Sequence, residues 1–151
     1  MPNKKWTILN GMQLGRYAEY YAKMEFTSYG YEVYTSEVDD HGVDFVTKKK
    51  DADTFYEVQV KSIRGWGYVF MTKDKMPLTK NRIVCLLRFE DESLPEVYII
   101  PAEAWKQPNQ LLVDRNYKGE EFKSKPEWGI NISRKNVDVL EKYKAENFFK
   151  V

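Results

Sequence analysis

The chain has 151 residues, 42% hydrophobic and 15% aromatic, which suits one folded domain with a core of its own and excludes a disordered chain. Its 24 Lys+Arg against 23 Asp+Glu leave a net charge of +1, so neither a strongly basic nucleic-acid binder nor an acidic protein is indicated by bulk charge. The single cysteine, Cys85, excludes an internal disulfide and reads as a buried small hydrophobe within Ile83-Val84-Cys85-Leu86-Leu87, as in a reducing compartment. No secretory n-region and h-region opens the chain and no apolar run is long enough to cross a bilayer, so a soluble, cytoplasmic protein without a membrane partner is expected.

Asn10 followed by Gln13 signals a capped helix start, and Leu14, Tyr17, Ala18 and Tyr21 recur at helical spacing, predicting a helix over residues 11–28. Glu19 is a lone carboxylate on a stripe with Met12, Gly15, Ala22 and Phe26, and Gly15 is expected to let the helix approach a sheet closely. Gly30 ends the helix, and strands are predicted over residues 31–36, 43–47, 54–63 and 68–72, with a turn at Asp39 to Gly42, a charged hairpin loop at 48–53 and a break at Gly65-Trp66-Gly67. Together these suggest an antiparallel meander after one helix. Two apolar strands follow over residues 82–89 and 96–100, then a short helix opened by Pro101 and reaching Trp105. Residues 106–127 read as a long polar loop, and Ser133 as the cap of a last helix over 134–147.

The stretch Glu57-Val58-Gln59-Val60-Lys61 carries the most chemical information. With period two, Glu57, Gln59 and Lys61 share one strand face while Tyr56, Val58 and Val60 pack on the other. A carboxylate, an amide and an amine in a row are costly on a covered face unless they are paired, metal-bound or hydrated. The plainer alternative is an ion pair between Glu57 and Lys61 on a solvated surface.

The order of a helix carrying Glu19, a strand, a Gly-Val-Asp strand with Asp44 and a Gln-Val-Lys-Ser strand resembles the PD-(D/E)XK nuclease superfamily over residues 11–105. That fold is shared by many restriction endonucleases and archaeal Holliday-junction resolvases. The resemblance implies one α/β domain over residues 1–151, with a mixed, mainly antiparallel central sheet flanked by helices, and Asp44 as principal metal ligand. Lys61 is the matching lysine. The residue two before it is Gln59 where the family pattern has Asp or Glu; an amide oxygen still coordinates a hard cation, with less charge. Glu57 is a candidate for the missing carboxylate, the Val60 carbonyl for a further ligand, and Glu19 for a second metal or an ordered water.

The implied activity is Mg²⁺- or Mn²⁺-dependent phosphodiester hydrolysis, on DNA more than RNA, structure-dependent or within a restriction or repair system, by a homodimer. Lys61 would orient the water or stabilise the transition state. Lys48, Lys49, Arg64 and Lys73 are candidate phosphate contacts and Trp66 a candidate base contact, beside the plainer readings of solvated lysines and a hairpin residue folded onto the sheet. His41 is read mainly as a turn residue, and Glu19 alternatively as the partner of Lys23 or Arg16. Two other functions fit the same residues: a non-catalytic nuclease-like module that binds nucleic acid or protein, favoured by Gln59 and the near-neutral charge, and an interaction protein whose polar strand face is a subunit contact.

Overall fold

Asn10 and Gln13 close a reciprocal capping box: Asn10 accepts from the Gln13 N–H at 2.8 Å, and Gln13 Oε1 accepts from the Asn10 N–H at 2.9 Å. The helix they start, α1, runs Gly11–Ser28, and the left-handed Gly30 (φ +85°) follows its end. These elements belong to a computed structural model that describes residues 2–35, 42–117 and 124–150. Leu14, Ala18, Ala22 and Phe26 form the buried stripe of α1. Gly15 does not make the close approach expected of it, since a Cβ there would meet nothing within 4 Å; the small residues against the sheet are Ala18 and Ala22.

Strands β1 (Tyr31–Thr35), β2 (Phe45–Lys49) and β3 (Phe55–Arg64) form the antiparallel meander the sequence predicts. The meander stops there. Gly65 (φ +64°) and Gly67 (φ +158°) turn the chain out of the sheet, and β4 (Gly67–Thr72) joins a second sheet instead. Its place beside β3 is taken by β5 (Arg82–Phe89), running parallel to β3, with β6 (Glu96–Pro101) antiparallel at the far edge, in the order β1-β2-β3-β5-β6. All eight residues of β5 are buried, as a strand covered on both faces requires. The chain is therefore α/β, with a mixed, mostly antiparallel central sheet.

Two cores lie on the two faces of that sheet. On one face, Ile83, Cys85, Leu87 and Phe89 of β5 pack with Val58, Phe45 and the inner stripe of α1. On the other, Val84 and Leu86 pack with Met71, Leu112, Ile130 and Ile132 of a three-stranded sheet ordered β4-β8-β7. Strands β7 (Leu112–Arg115) and β8 (Glu127–Ile132) correct the expectation of a structureless 106–127 segment: Leu111 and Leu112 are buried and pin the chain to the second sheet. Pro101 precedes a 3-10 turn, Ala102–Lys106. Burial pushes the Cys85 thiol far up, so it is an inert core group.

The single C-terminal helix expected over 134–147 is a 3-10 turn, Arg134–Asn136, followed by two short helices, α2 (Val137–Glu141) and α3 (Ala145–Phe149). Ser133 makes no side-chain cap. The break has a physical cause: the Ile99 N–H donates to the Tyr143 carbonyl at 2.8 Å and Lys144 bridges Tyr98, so the intervening residues leave the helix to bond the edge of β6. Among the described residues no helix is long and apolar enough to cross a membrane.

Packing α3 against α1 brings Glu146 near Glu25, and burial first, then the Glu146 charge, raises the Glu25 carboxyl above its ordinary value. A carboxyl raised in the fold stabilises when protonated and destabilises once pH rises through the ordinary carboxylate range. Glu25→Gln is therefore expected to raise the thermal midpoint at pH 7 by about 1–2 °C, the small size reflecting partial solvent screening. At pH 4 scanning calorimetry should show no gain.

Candidate active site

The alternation along β3 divides its residues as the sequence predicts. Tyr56, Val58 and Val60 pack on the α1 side, while Glu57, Gln59 and Lys61 take the other face, followed by Ile63 in the second core. Phe45 pairs with Val58, and the Asp44 N–H donates to the Val58 carbonyl at 2.8 Å, so the ladder continues one residue beyond β2. Asp44 thus lies at the entry of β2 rather than within it, across from Gln59. The Val60 N–H, which β2 does not reach, donates to Asp44 Oδ2 at 2.7 Å and fixes the carboxylate at the point where β3 becomes an open edge.

Gln59 is 8% exposed, and its buried Oε1 has no hydrogen-bond partner among the described residues. Such an oxygen is expensive unless something coordinates or donates to it. Lys61 is half-buried: burial lowers its pKa, the Asp44 charge opposes that, and Lys75 adds to the lowering. Asp44, Gln59, Val60 and Lys61 are therefore brought together at one strand edge.

Lys75 ends the 3-10 turn Lys73–Lys75 after β4. Its carbonyl accepts from Arg82 Nη1 at 2.8 Å, and a Cβ built on Gly42 (φ +73°) would lie 2.7 Å from that same carbonyl. Gly42 allows the segment leading to Asp44 to pass against Lys75. Gly42→Ala is expected to cost about 1–2 kcal/mol from the left-handed backbone alone, before the clash, and to reduce any activity that depends on Asp44. Urea midpoints and cleavage rates read the two effects separately.

The remaining acidic candidates each have a positive charge beside them. Glu57 faces Arg82 across the parallel β3–β5 register, and its charge supports a guanidinium whose pKa burial lowers. Glu19 pairs with Lys23 at 3.4 Å, and the Lys23 ammonium sits 6.0 Å from the ring centroid of Phe45, so this turn of α1 passes beside the residue after Asp44. Among the described residues no three His, Cys, Asp or Glu side chains gather into a metal-binding group. The donor set is one carboxylate, one amide oxygen and main-chain carbonyls. This fits a hard cation that keeps several waters and takes its other ligands from a phosphate, as Mg²⁺ does.

Most of the proposed nucleic-acid contacts are bonded to, or packed on, other groups of the chain. Arg64 is on the α1 side of β3 and donates to the Trp6 and Leu9 carbonyls at 2.9 and 2.6 Å. Lys73 bonds Asp114 and, at 2.8 Å, Asn116, and lies 4.1 Å from the Trp128 ring centroid. Lys48 pairs with Glu32 at 3.6 Å, whereas Lys49 is exposed. Trp66 is 39% exposed and carries the Arg88 guanidinium 3.8 Å from its ring centroid. His41 lies outside the described residues. Sequence reasoning missed an open cavity of about 460 Å³ next to Lys61, lined by Val60, Lys61, Ser62, Tyr68, Val69 and Phe70.

No known family's sequence model matches the chain, and no curated protein does. Its three-dimensional arrangement, however, is similar to that of Archaeoglobus fulgidus Hjc, a Holliday junction resolvase from an archaeal hyperthermophile. The TM-score is 0.55 at 10% identity, covering 89% of this chain and 94% of the resolvase. The likeness is one of fold: the chain shares the resolvase's mixed α/β arrangement of a central sheet flanked by helices. In this arrangement Asp44 and Lys61 are brought together by the β2–β3 hairpin.

Proposed function

We propose that the protein is a divalent-metal-dependent nuclease that hydrolyses phosphodiester bonds of DNA. The observation that carries this reading is the Asp44–Lys61 pair on the open edge of a resolvase-like hairpin, with the orphaned Gln59 oxygen opposite Asp44. Asp44, Gln59 Oε1 and the Val60 carbonyl would hold Mg²⁺ or Mn²⁺, which when bound supplies Lewis acidity and lowers the pKa of a coordinated water.

The chain's own residues perform the rest. The Val60 N–H holds the Asp44 carboxylate in place at 2.7 Å. The Lys61 ammonium, set in a low-dielectric position beside Asp44, offers up to three donors to the charge that grows on the phosphoryl oxygens. Lys75 adds positive potential at the same edge. Glu19 pairs with Lys23 on α1, and Glu57 sets a negative charge near the partly buried Arg82 guanidinium. Cutting both strands of a duplex needs two such sites, which makes a homodimer the working unit of this reading.

A second reading has a specific observation behind it: the absence of a three-carboxylate group among the described residues favours a non-catalytic module that binds nucleic acid or a protein partner. Titrating Mg²⁺ and Mn²⁺ against linear, nicked, flap and four-way-junction DNA and single-stranded RNA separates the two. The nuclease reading expects metal-dependent products on at least one DNA. Binding with no products under any metal would select the module.

A further inference from the structure

The cavity beside Lys61 has an aromatic wall that phosphodiester chemistry at Asp44 and Lys61 does not use. Along β4, Val69 and Met71 enter the second core, so Tyr68 and Phe70 project from the other face. Gly129 pairs with Phe70 in the register, and a Cβ there would lie 2.0 Å from the Tyr68 hydroxyl, so the Tyr68 ring lies across the Gly129 backbone. Its hydroxyl donates to Glu127 Oε2 at 2.5 Å, and the Arg115 guanidinium sits 4.6 Å from its ring centroid. Phe70 is near-parallel to this fixed ring, at 20° and 6.3 Å between centroids, yet remains 48% exposed. Among the described residues that line the cavity, Lys61 is the only charged one and none is acidic.

An exposed phenyl ring costs solvation, and here its partner is held in place by three separate contacts. Aromatic faces of this kind, beside a cation, suit a nucleobase with its phosphate. A base inside a duplex has both faces covered by its neighbours, so only an unpaired base has a face to offer. The volume of about 460 Å³ falls in the range of small-ligand sites.

We propose that Phe70, backed by Tyr68, is a stacking platform for an unpaired base of the strand whose phosphate lies at Lys61, so that the substrate class is DNA with unpaired nucleotides at the cutting point rather than fully paired duplex. The stacking itself rests on the cavity alone; the cutting point rests on the nuclease reading above.

The test uses the full chain in metal-free buffer with 2-aminopurine placed in a single-stranded oligonucleotide and in a blunt duplex. Wild type is expected to bind the single strand more tightly than the duplex and to quench its probe. Phe70→Ala should lose about tenfold in single-strand affinity with little change on the duplex, while Phe70→Trp keeps both affinity and quenching. Equal single-strand affinity in wild type and Phe70→Ala, or equal losses on both oligonucleotides, would overturn the platform. A platform that behaves as expected in a protein that cuts nothing with metal added supports the stacking site and removes the nuclease reading. Cleavage with no preference for unpaired DNA overturns the platform and leaves the nuclease reading standing.

Discussion

Asp44→Asn is expected to reduce metal-dependent cleavage to background while leaving the fold in place. The amide oxygen of Asn still accepts the Val60 N–H that Asp44 Oδ2 accepts at 2.7 Å, so the hairpin edge keeps its hydrogen bond. What disappears is charge. The donor set loses its one carboxylate, and a hard dication bound mainly through waters depends on that charge. Lys61 also loses the interaction that opposes its desolvation, so its pKa falls further. Lys61→Met, which removes the ammonium and keeps most of the volume, is expected to cost about 10²–10³-fold in single-turnover rate with Mn²⁺ affinity nearly intact. Calorimetric Mn²⁺ titration and rapid-quench cleavage of both variants separate a lost ligand from a lost transition-state donor.

Phe26→Ala is expected to be the most damaging of the core truncations, at about 3–5 kcal/mol, or roughly 10 °C in thermal midpoint. The Phe26 ring is fully buried, with centroids of Phe149, Tyr31 and Phe45 at 4.9, 5.5 and 5.6 Å, and it joins α1, β1, β2 and α3 at one point. Removing it leaves an aromatic-lined void that the two short C-terminal helices must fill by shifting. Phe45 follows Asp44 directly, so the loosening reaches the proposed active-site edge. Cleavage should fall together with urea stability, whereas Asp44→Asn should lower cleavage alone. Measuring both quantities on both variants distinguishes a structural from a chemical defect.

Much of this was legible in local sequence pattern, and the failures share a cause. The capping box at Asn10 and Gln13, the α1 boundaries and the two-faced β3 depend on neighbours within a few residues, and each is found as read. So are the eight apolar or arginine positions of β5. The exit of β4 was missed because Gly65-Trp66-Gly67 is as compatible with a tight hairpin as with a turn out of the sheet; the competitor for β3's edge, β5, begins fifteen residues later. Strand β7 is four residues long and too short for alternation to show. The C-terminal helix broke because β6 needed a partner for Ile99, a long-range demand that helical periodicity cannot register.

The site divides along the same line. Alternation along β3 put Glu57, Gln59 and Lys61 on one face, and the resemblance to the nuclease superfamily added Asp44, which the β2–β3 register sets across from Gln59. Arg82 as the counter-charge to Glu57, Lys75 beside Lys61 and the Tyr68–Phe70 wall all come from elements that the parallel β3–β5 pairing and the second sheet fold back onto the hairpin.

The most direct test of the central claim is single-turnover cleavage of a 5′-labelled flap DNA by wild type and Lys61→Met, with Mg²⁺ raised from zero to millimolar. Saturable, metal-dependent cutting by wild type, at least a hundredfold faster than by Lys61→Met, is the predicted result. Equal rates for the two proteins, or no metal-dependent product from wild type, would contradict it.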